Sequence, residues 1–187
     1  MVDRVAVVGG GAIGLQAAIT LADRDVDVIL FEAGELGSGA SGRAAGICYD
    51  AYADRRDADI AGESIRYFRE QNLLTDCPYL WFARDDGETA EAIESQADRM
   101  AEHGRDVETV GQQTVADRFP ALVADDIETA AVAHNAGYVD PDAYVAHLEA
   151  RARAAGVSIQ TNTPATVADD GGVRADGTIR EIGRAHV

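Results

Sequence analysis

Lysine is absent from this sequence of 187 residues, so all 16 of its basic residues are arginines. They stand against 33 acidic residues, which gives the chain a formal net charge of −17. Acidic surfaces repel one another less in concentrated salt, because counterions screen their charge. We therefore predict a protein adapted to high salt, with drift toward arginine in a GC-rich genome as the alternative. The same charge makes nucleic acid an unfavoured partner.

Long hydrophobic runs are also missing. No apolar stretch approaches the roughly 20 residues of a membrane-spanning helix. Residues 1–4 lead directly into a short apolar stretch, without the longer hydrophobic region and cleavage site of a secretory signal. With 47% hydrophobic and 26% charged residues, the chain has the composition of a folded domain. These features predict a cytoplasmic globular protein without a membrane span.

Cysteine and histidine are both scarce, with two and four residues respectively. Cys48 and Cys77 lie far apart and form no CxxC pair, and the histidines show no HExxH or HxH spacing. We therefore expect two free thiols and no metal site.

A glycine-rich turn follows the first apolar segment. Residues 5–8 form a short β-branched run that is typical of a buried parallel strand. Gly9, Gly11 and Gly14 then satisfy the GxGxxG pattern of dinucleotide-binding proteins. The first glycine permits a tight turn, the second admits a pyrophosphate, and the third lets helix and strand pack closely.

Helical spacing begins directly at this turn. Apolar residues recur on one side of the segment, at Ala12, Ile13, Leu15, Ile19 and Ala22. The free N–H groups and the dipole at the start of such a helix attract anions, so Ala12 and Ile13 are candidate contacts of a diphosphate.

A second apolar strand, residues 26–31, ends at an acidic residue. Glu32 lies 18 residues beyond Gly14, where a carboxylate bonds the hydroxyls of an adenosine ribose and repels a 2′-phosphate. Strand, glycine turn, helix, strand and acid therefore occur in the order of a Rossmann-like α/β unit with a parallel sheet. This pattern alone leaves FAD and NAD both open.

The next segment is predicted to be a loop, because residues 34–46 contain five glycines in 13 positions. A nicotinamide dehydrogenase usually continues here into a second crossover helix. The amides of the loop and the side chain of Arg43 are available to a phosphate or a flavin edge. A flexible surface linker is the alternative, although the apolar residues 44–47 favour burial.

Taken together, these residues resemble the FAD-dependent D-amino acid oxidase superfamily, which contains glycine oxidase, sarcosine oxidase and dimethylglycine dehydrogenase. The resemblance rests on the GxGxxG turn, Glu32, the GASGRAAG stretch at residues 39–46 and the GYVDP stretch at residues 137–141. It implies FAD as the cofactor, held non-covalently because Arg43 stands near a position where some relatives carry a flavin-linked histidine. The cofactor-binding residues implied by motif and resemblance are Gly9, Gly11, Ala12, Ile13, Gly14, Glu32, Ala33, Ser41, Arg43, Ala44, Ala45, Gly46 and Val167.

The resemblance also implies a domain order. Residues 1–47 are predicted to be the first part of the FAD-binding domain, and residues 48–135 the first part of an inserted α+β substrate domain. Residues 136–180 return to the FAD-binding domain, where Val167 contacts adenine through its backbone in relatives. The final stretch, residues 181–187, matches the translation of a common sequencing adapter. Because family members are considerably longer, we expect this chain to be an N-terminal part.

Local patterns predict the elements of the later chain. Asp140 is a candidate helix cap after a turn at residues 137–141, and Thr114 is a candidate cap of a short helix. The other predicted helices cover residues 58–72, 89–103 and 141–155, and the predicted strands cover residues 79–83, 129–133 and 157–161. A group of aromatic residues and a histidine are candidates for a substrate pocket, with packing favoured for each: Tyr49, Tyr52, Tyr79, Trp81 and His134.

The predicted activity is oxidation of the C–N bond of an amine or amino acid by an FAD-dependent oxidoreductase. The alternatives are an NAD-dependent Rossmann dehydrogenase and a non-catalytic fragment. By resemblance, the residues that grip the substrate lie mainly in a later part of the family's sequence, so we nominate no catalytic residue. The substrate, the electron acceptor and the oligomeric state stay open.

Overall fold

The structure is a computed structural model that describes residues 4–84, 87–168, 172–175 and 178–180. Its helices, in chain order, are α1 (Ala12–Ala22), α2 (Arg55–Glu70), α3 (Gly87–Glu102), α4 (Gln112–Arg118) and α5 (Pro141–Ala154). Its strands are β1 (Arg4–Val8), β2 (Asp27–Phe31), β3 (Ile47–Tyr49), β4 (Leu74–Asp76), β5 (Tyr79–Arg84), β6 (Val107–Val110), β7 (Ile127–Ala133), β8 (Ala136–Val139), β9 (Ser158–Gln160), β10 (Ala165–Val167), β11 (Val173–Ala175) and β12 (Thr178–Arg180).

The chain divides into two compact units. One consists of the residues before Gly46 and after Val139, and the other is the continuous segment Gly46–Val139. The predicted boundaries lay after residue 47 and before residue 136. The observed boundaries differ because β8 pairs with β3 and β4 of the inserted segment. The predicted assignment of the units to cofactor and substrate stays a prediction.

The first unit is built on a parallel sheet. Its strand order is β1-β2-β9, and both strand pairs are parallel. Helices α1 and α5 share a buried core with the central strand, formed by Leu15, Ala18, Ile19, Val28, Leu30, Val145, Leu148, Ala152 and Val157. Strands β10, β11 and β12 form a separate antiparallel sheet in this unit. The predicted Rossmann-like unit and the return of β9 to the Glu32 strand are therefore confirmed.

Helix α1 differs in one respect from its predicted apolar face. Leu15, Ala18 and Ile19 are buried as a helical period of three to four residues requires. Ile13, predicted on the same side, is 88% exposed. It lies two residues before Leu15, about 200° around the helix, and therefore on the opposite face.

Helix α5 begins at its predicted cap. The side chain of Asp140 accepts hydrogen bonds from the backbone N–H groups of Asp142 and Ala143, and Pro141 occupies the first turn. The predicted turn over residues 137–141 is wrong in its first part, where Ala136–Val139 is a strand. Gly156, with a positive φ of 87°, turns the chain toward β9.

The second unit contains two antiparallel sheets. The first has the order β3-β8-β4 and the second the order β5-β7-β6. Helix α4 packs on β7, and the core there contains Val110, Val115, Ala124, Ile127, Ala130 and Val132. This arrangement agrees with the predicted α+β class of the inserted segment.

Three helix starts in this unit deviate from prediction. Helix α3 begins at Gly87, two residues before its predicted start. Helix α2 begins at Arg55, three residues early, because the Asp54 carboxylate caps the N–H groups of Arg56 and Asp57. The predicted Thr114 cap is wrong, since α4 begins at Gln112 after Gly111. Among the described helices, none is long and apolar enough to cross a membrane.

Candidate cofactor site

The glycine turn joins the ends of β1 and β2 to the start of α1. Gly9 has a φ of 106°, which glycine adopts without steric cost, and its N–H donates to the carbonyl oxygen of Phe31 at 2.8 Å. A Cβ at Gly14 would collide with the carbonyl oxygen of Gly9. The first and third glycines of the motif are therefore required by the backbone itself.

The middle of the turn is closed in by side chains of the following loop. A Cβ at Gly10 would collide with the Leu36 side chain, and one at Gly11 would lie 2.9 Å from the Ser41 hydroxyl oxygen. The loop can approach this turn because both positions lack a side chain. Gly10, whose position the GxGxxG pattern leaves open, is constrained by side chains of Leu36 and Glu32 and not by the backbone.

Backbone donors cluster at the N-terminus of α1. The N–H of Ala12 donates to the Ser41 hydroxyl oxygen at 3.0 Å, and the first turn contains no acidic residue. The early N–H groups of a helix lack acceptors within the helix and carry the positive end of its dipole. This end of α1 therefore has the donors and the field that favour an anionic group.

The Glu32 carboxylate is fixed beside the same turn. One of its oxygens, Oε2, accepts the N–H of Gly10 at 2.6 Å, and the other accepts the N–H of Gly34 at 2.9 Å. Two backbone donors hold the carboxylate at the end of β2, where it is half-buried. Each oxygen retains a lone pair for a further donor, such as a hydroxyl group.

The segment after Glu32 is a structured loop, as its glycine content predicts. The N–H of Gly37 donates to the Gly10 carbonyl oxygen at 3.0 Å, and the N–H of Gly42 donates to Gly37 at 2.7 Å. Gly37 has a φ of 74° and lies so close to Val145 of α5 that a Cβ would be 2.9 Å from its Cγ2. Helix α5 therefore supports the loop that carries Ser41.

The structure brings some predicted site residues together and leaves others apart. Those joined directly around the turn are Gly9, Gly11, Ala12, Gly14, Glu32 and Ser41. Ile13 follows in the same helical turn, with its side chain exposed. Three of the other predicted residues are exposed along the loop, namely Ala33, Ala44 and Ala45.

Three more predicted residues lie outside this network. Arg43 is exposed at the end of a short 3-10 helix. Gly46 belongs to the second unit, where its φ is 67° and its carbonyl oxygen accepts the N–H of Val139 at 2.9 Å. Val167 ends β10 and is 65% exposed. The cofactor roles of all thirteen residues stay predictions.

Sequence reasoning missed Gly10, Gly34 and Gly37. The first two supply the N–H groups that hold Glu32, and the third positions the loop against the turn. Their only sequence signal is the density of glycine around an acidic residue, which does not reveal which glycine donates.

The residues present fit the diphosphate and ribose of a dinucleotide. Because Gly11 has no side chain, a ligand can approach the backbone at the start of α1 closely. The N–H donors there match phosphate oxygens. The anchored carboxylate of Glu32 matches a pair of ribose hydroxyls. Within the described ranges, no group of three or more His, Cys, Asp or Glu side chains is arranged to hold a metal ion.

The aromatic residues proposed for a substrate pocket mostly pack on one another. The Tyr49 ring stacks on Tyr52 at 5.0 Å and on Tyr79 at 4.7 Å, while Trp81 meets Tyr49 edge-on. Burial is the main cause that raises the pKa of Tyr49, and the neighbouring Tyr52 raises it further. This arrangement agrees with the packing interpretation.

His134 lies in a different cluster. Its Nε2 is 2.9 Å from Glu108 Oε1, which also binds Arg118. The Arg118 hydrogen bond is the main cause that lowers the pKa of Glu108, followed by the bond to His134.

Both free cysteines are as predicted, and burial raises the pKa of Cys48.

Comparisons with known proteins agree with this geometry. The family model DAO, described as FAD dependent oxidoreductase, matches residues 4–186. Gamma-glutamylputrescine oxidoreductase of Escherichia coli K12 is 29% identical, over 73% of this chain and 36% of that protein. L-proline dehydrogenase from P. horikoshii superposes with a TM-score of 0.81 at 19% identity, covering 95% of this chain and 50% of that one.

Glycine oxidase from Bacillus cereus ATCC 14579 superposes with a TM-score of 0.79 at 23% identity, covering 96% of this chain and 52% of that one. The two solved structures show a shared fold. The chain spans between about a third and a half of the length of these three proteins. Because the family model covers nearly the whole sequence, the chain belongs to the DAO family of FAD-dependent oxidoreductases.

Proposed function

We propose that the whole protein uses non-covalently bound FAD to oxidise the C–N bond of an amine or amino acid. The observation that carries this proposal is the glycine turn at the start of α1, with the Glu32 carboxylate bonded to the Gly10 N–H at 2.6 Å. Together with membership of the DAO family, this turn supports a site for the adenosine diphosphate half of FAD.

Each residue of the turn has a distinct task in this proposal. The backbone of Gly11, Ala12 and Ile13 holds the diphosphate at the α1 N-terminus. Glu32 accepts hydrogen bonds from the ribose hydroxyls and repels a 2′-phosphate. Ser41 lies within reach of the same helix end, because its hydroxyl already meets the Ala12 N–H.

The remaining predicted residues extend the site. Arg43 supplies positive charge to the diphosphate, and the backbone of residues 44–46 approaches the flavin edge. Ala33 lies beside the ribose, and the Val167 backbone contacts adenine. When bound, FAD supplies the two-electron acceptor for the hydride of the carbon that bears nitrogen.

The proposed substrate class rests on the relatives. The names of all three describe enzymes of an amine or an amino acid: gamma-glutamylputrescine, L-proline and glycine. The NAD alternative loses its support, because the glycine-rich loop carries a short 3-10 helix where a nicotinamide dehydrogenase continues into an α-helix.

The cofactor proposal is tested by melting the purified chain in molar salt with FAD, with NADH and without ligand. A protein that binds a ligand only when folded melts later in its presence. We expect FAD to raise the melting temperature and NADH to leave it unchanged. Stabilisation by NADH alone, or by neither compound, would contradict the proposal.

We also propose that the protein works in a cytoplasm rich in salt and does not bind nucleic acid. The net charge of −17 supports both statements, since molar salt screens repulsion within the fold. The melting temperature of the chain should therefore rise between 0.1 M and 3 M NaCl. A melting temperature that falls over this range would refute adaptation to high salt.

A further inference from the structure

We draw no further inference here: the strongest candidate, the apolar groove beside β3 and α2 that is lined by Ile47, Tyr52 and Ile60, carries nothing because nothing in the structure shows what covers it.

Discussion

The glycine turn of the first unit and the Asp50–Arg105 network of the second unit hold their polar groups in different ways. In the first unit, backbone N–H groups donate to the side chains of Glu32 and Ser41. In the network of the second unit, the Arg105 side chain pairs with the side chains of Asp50 and Asp59. Backbone geometry therefore controls the first arrangement and residue charge the second, so glycine substitutions should damage the first and charge substitutions the second.

The largest effect is expected from Gly14→Ala. The added Cβ collides with the carbonyl oxygen of Gly9, so the turn and the start of α1 must move apart. We expect FAD affinity to fall at least about a hundredfold and the free energy of unfolding to fall by about 1–3 kcal/mol. Urea unfolding in molar salt and fluorescence titration with FAD measure the two quantities.

The matched control for this change is Gly39→Ala in the same unit. A Cβ at Gly39 meets no atom within 4 Å, and its φ is not positive, so both quantities should stay near those of the unmodified chain. Equal losses in the two variants would mean that general loop rigidity, and not the Gly9–Gly14 approach, governs the site.

The glycine turn was predictable because its constraints are local. Gly9, Gly14 and Glu32 lie within 24 consecutive residues, and each satisfies a known backbone or ligand requirement. The Asp140 cap of α5 follows the same logic, since a cap acts on the two or three residues that follow it. The parallel sheet of the first unit could be predicted from these local signals and the return of β9.

The polar network of the second unit was not predictable in this way. Asp50 bonds Asn135 across 85 positions of the sequence, and Arg105 bonds Asp50 across 55. No periodicity connects such residues, so each reads in the sequence as an ordinary exposed polar side chain. Short strands such as Leu74–Asp76 were missed for a related reason, because three residues are too few to show alternation.

The next largest effect is expected from Glu32→Gln. The amide keeps one acceptor oxygen but places an NH₂ group against the other backbone donor, either Gly10 or Gly34. We expect FAD affinity to fall about tenfold, since a hydrogen bond to a charged group contributes about 1.5–3 kcal/mol. The control is Glu35→Gln, an exposed change in the same loop that should leave the titration unaltered. An equal loss in both variants would point to overall charge instead.

A smaller effect is expected when one helix cap is removed in each unit. Asp140→Ala and Asp54→Ala each remove a carboxylate that accepts two backbone N–H groups, so each should cost about 1 kcal/mol of stability. Only Asp140→Ala should also weaken FAD binding. Helix α5 supports the loop that carries Ser41, because Val145 lies against Gly37 of that loop. Chemical unfolding and FAD titration of both variants make the comparison. A similar loss of FAD affinity in Asp54→Ala would contradict the separation of the two units.

The smallest effect concerns the pH dependence of the second unit. Arg118 and His134 hold the pKa of Glu108 below its usual range. Because the folded pKa is the lower one, this pairing stabilises the fold above the unfolded pKa and is lost as pH falls through the folded pKa. Glu108→Gln should therefore make the loss of stability on acidification slightly shallower, as measured by thermal melting from pH 7 to pH 3.

The salt dependence of stability distinguishes the Glu108 ion pairs from ion pairs that are buried. Glu108 and both of its partners are about two-fifths exposed, so molar salt should screen most of their attraction. The difference between Glu108→Gln and the unmodified chain should shrink between 0.1 M and 3 M NaCl. Glu128→Gln, exposed on the neighbouring strand β7, serves as the control and should not alter the slope. A difference that persists in 3 M NaCl would show that Glu108 acts through local structure rather than through its charge.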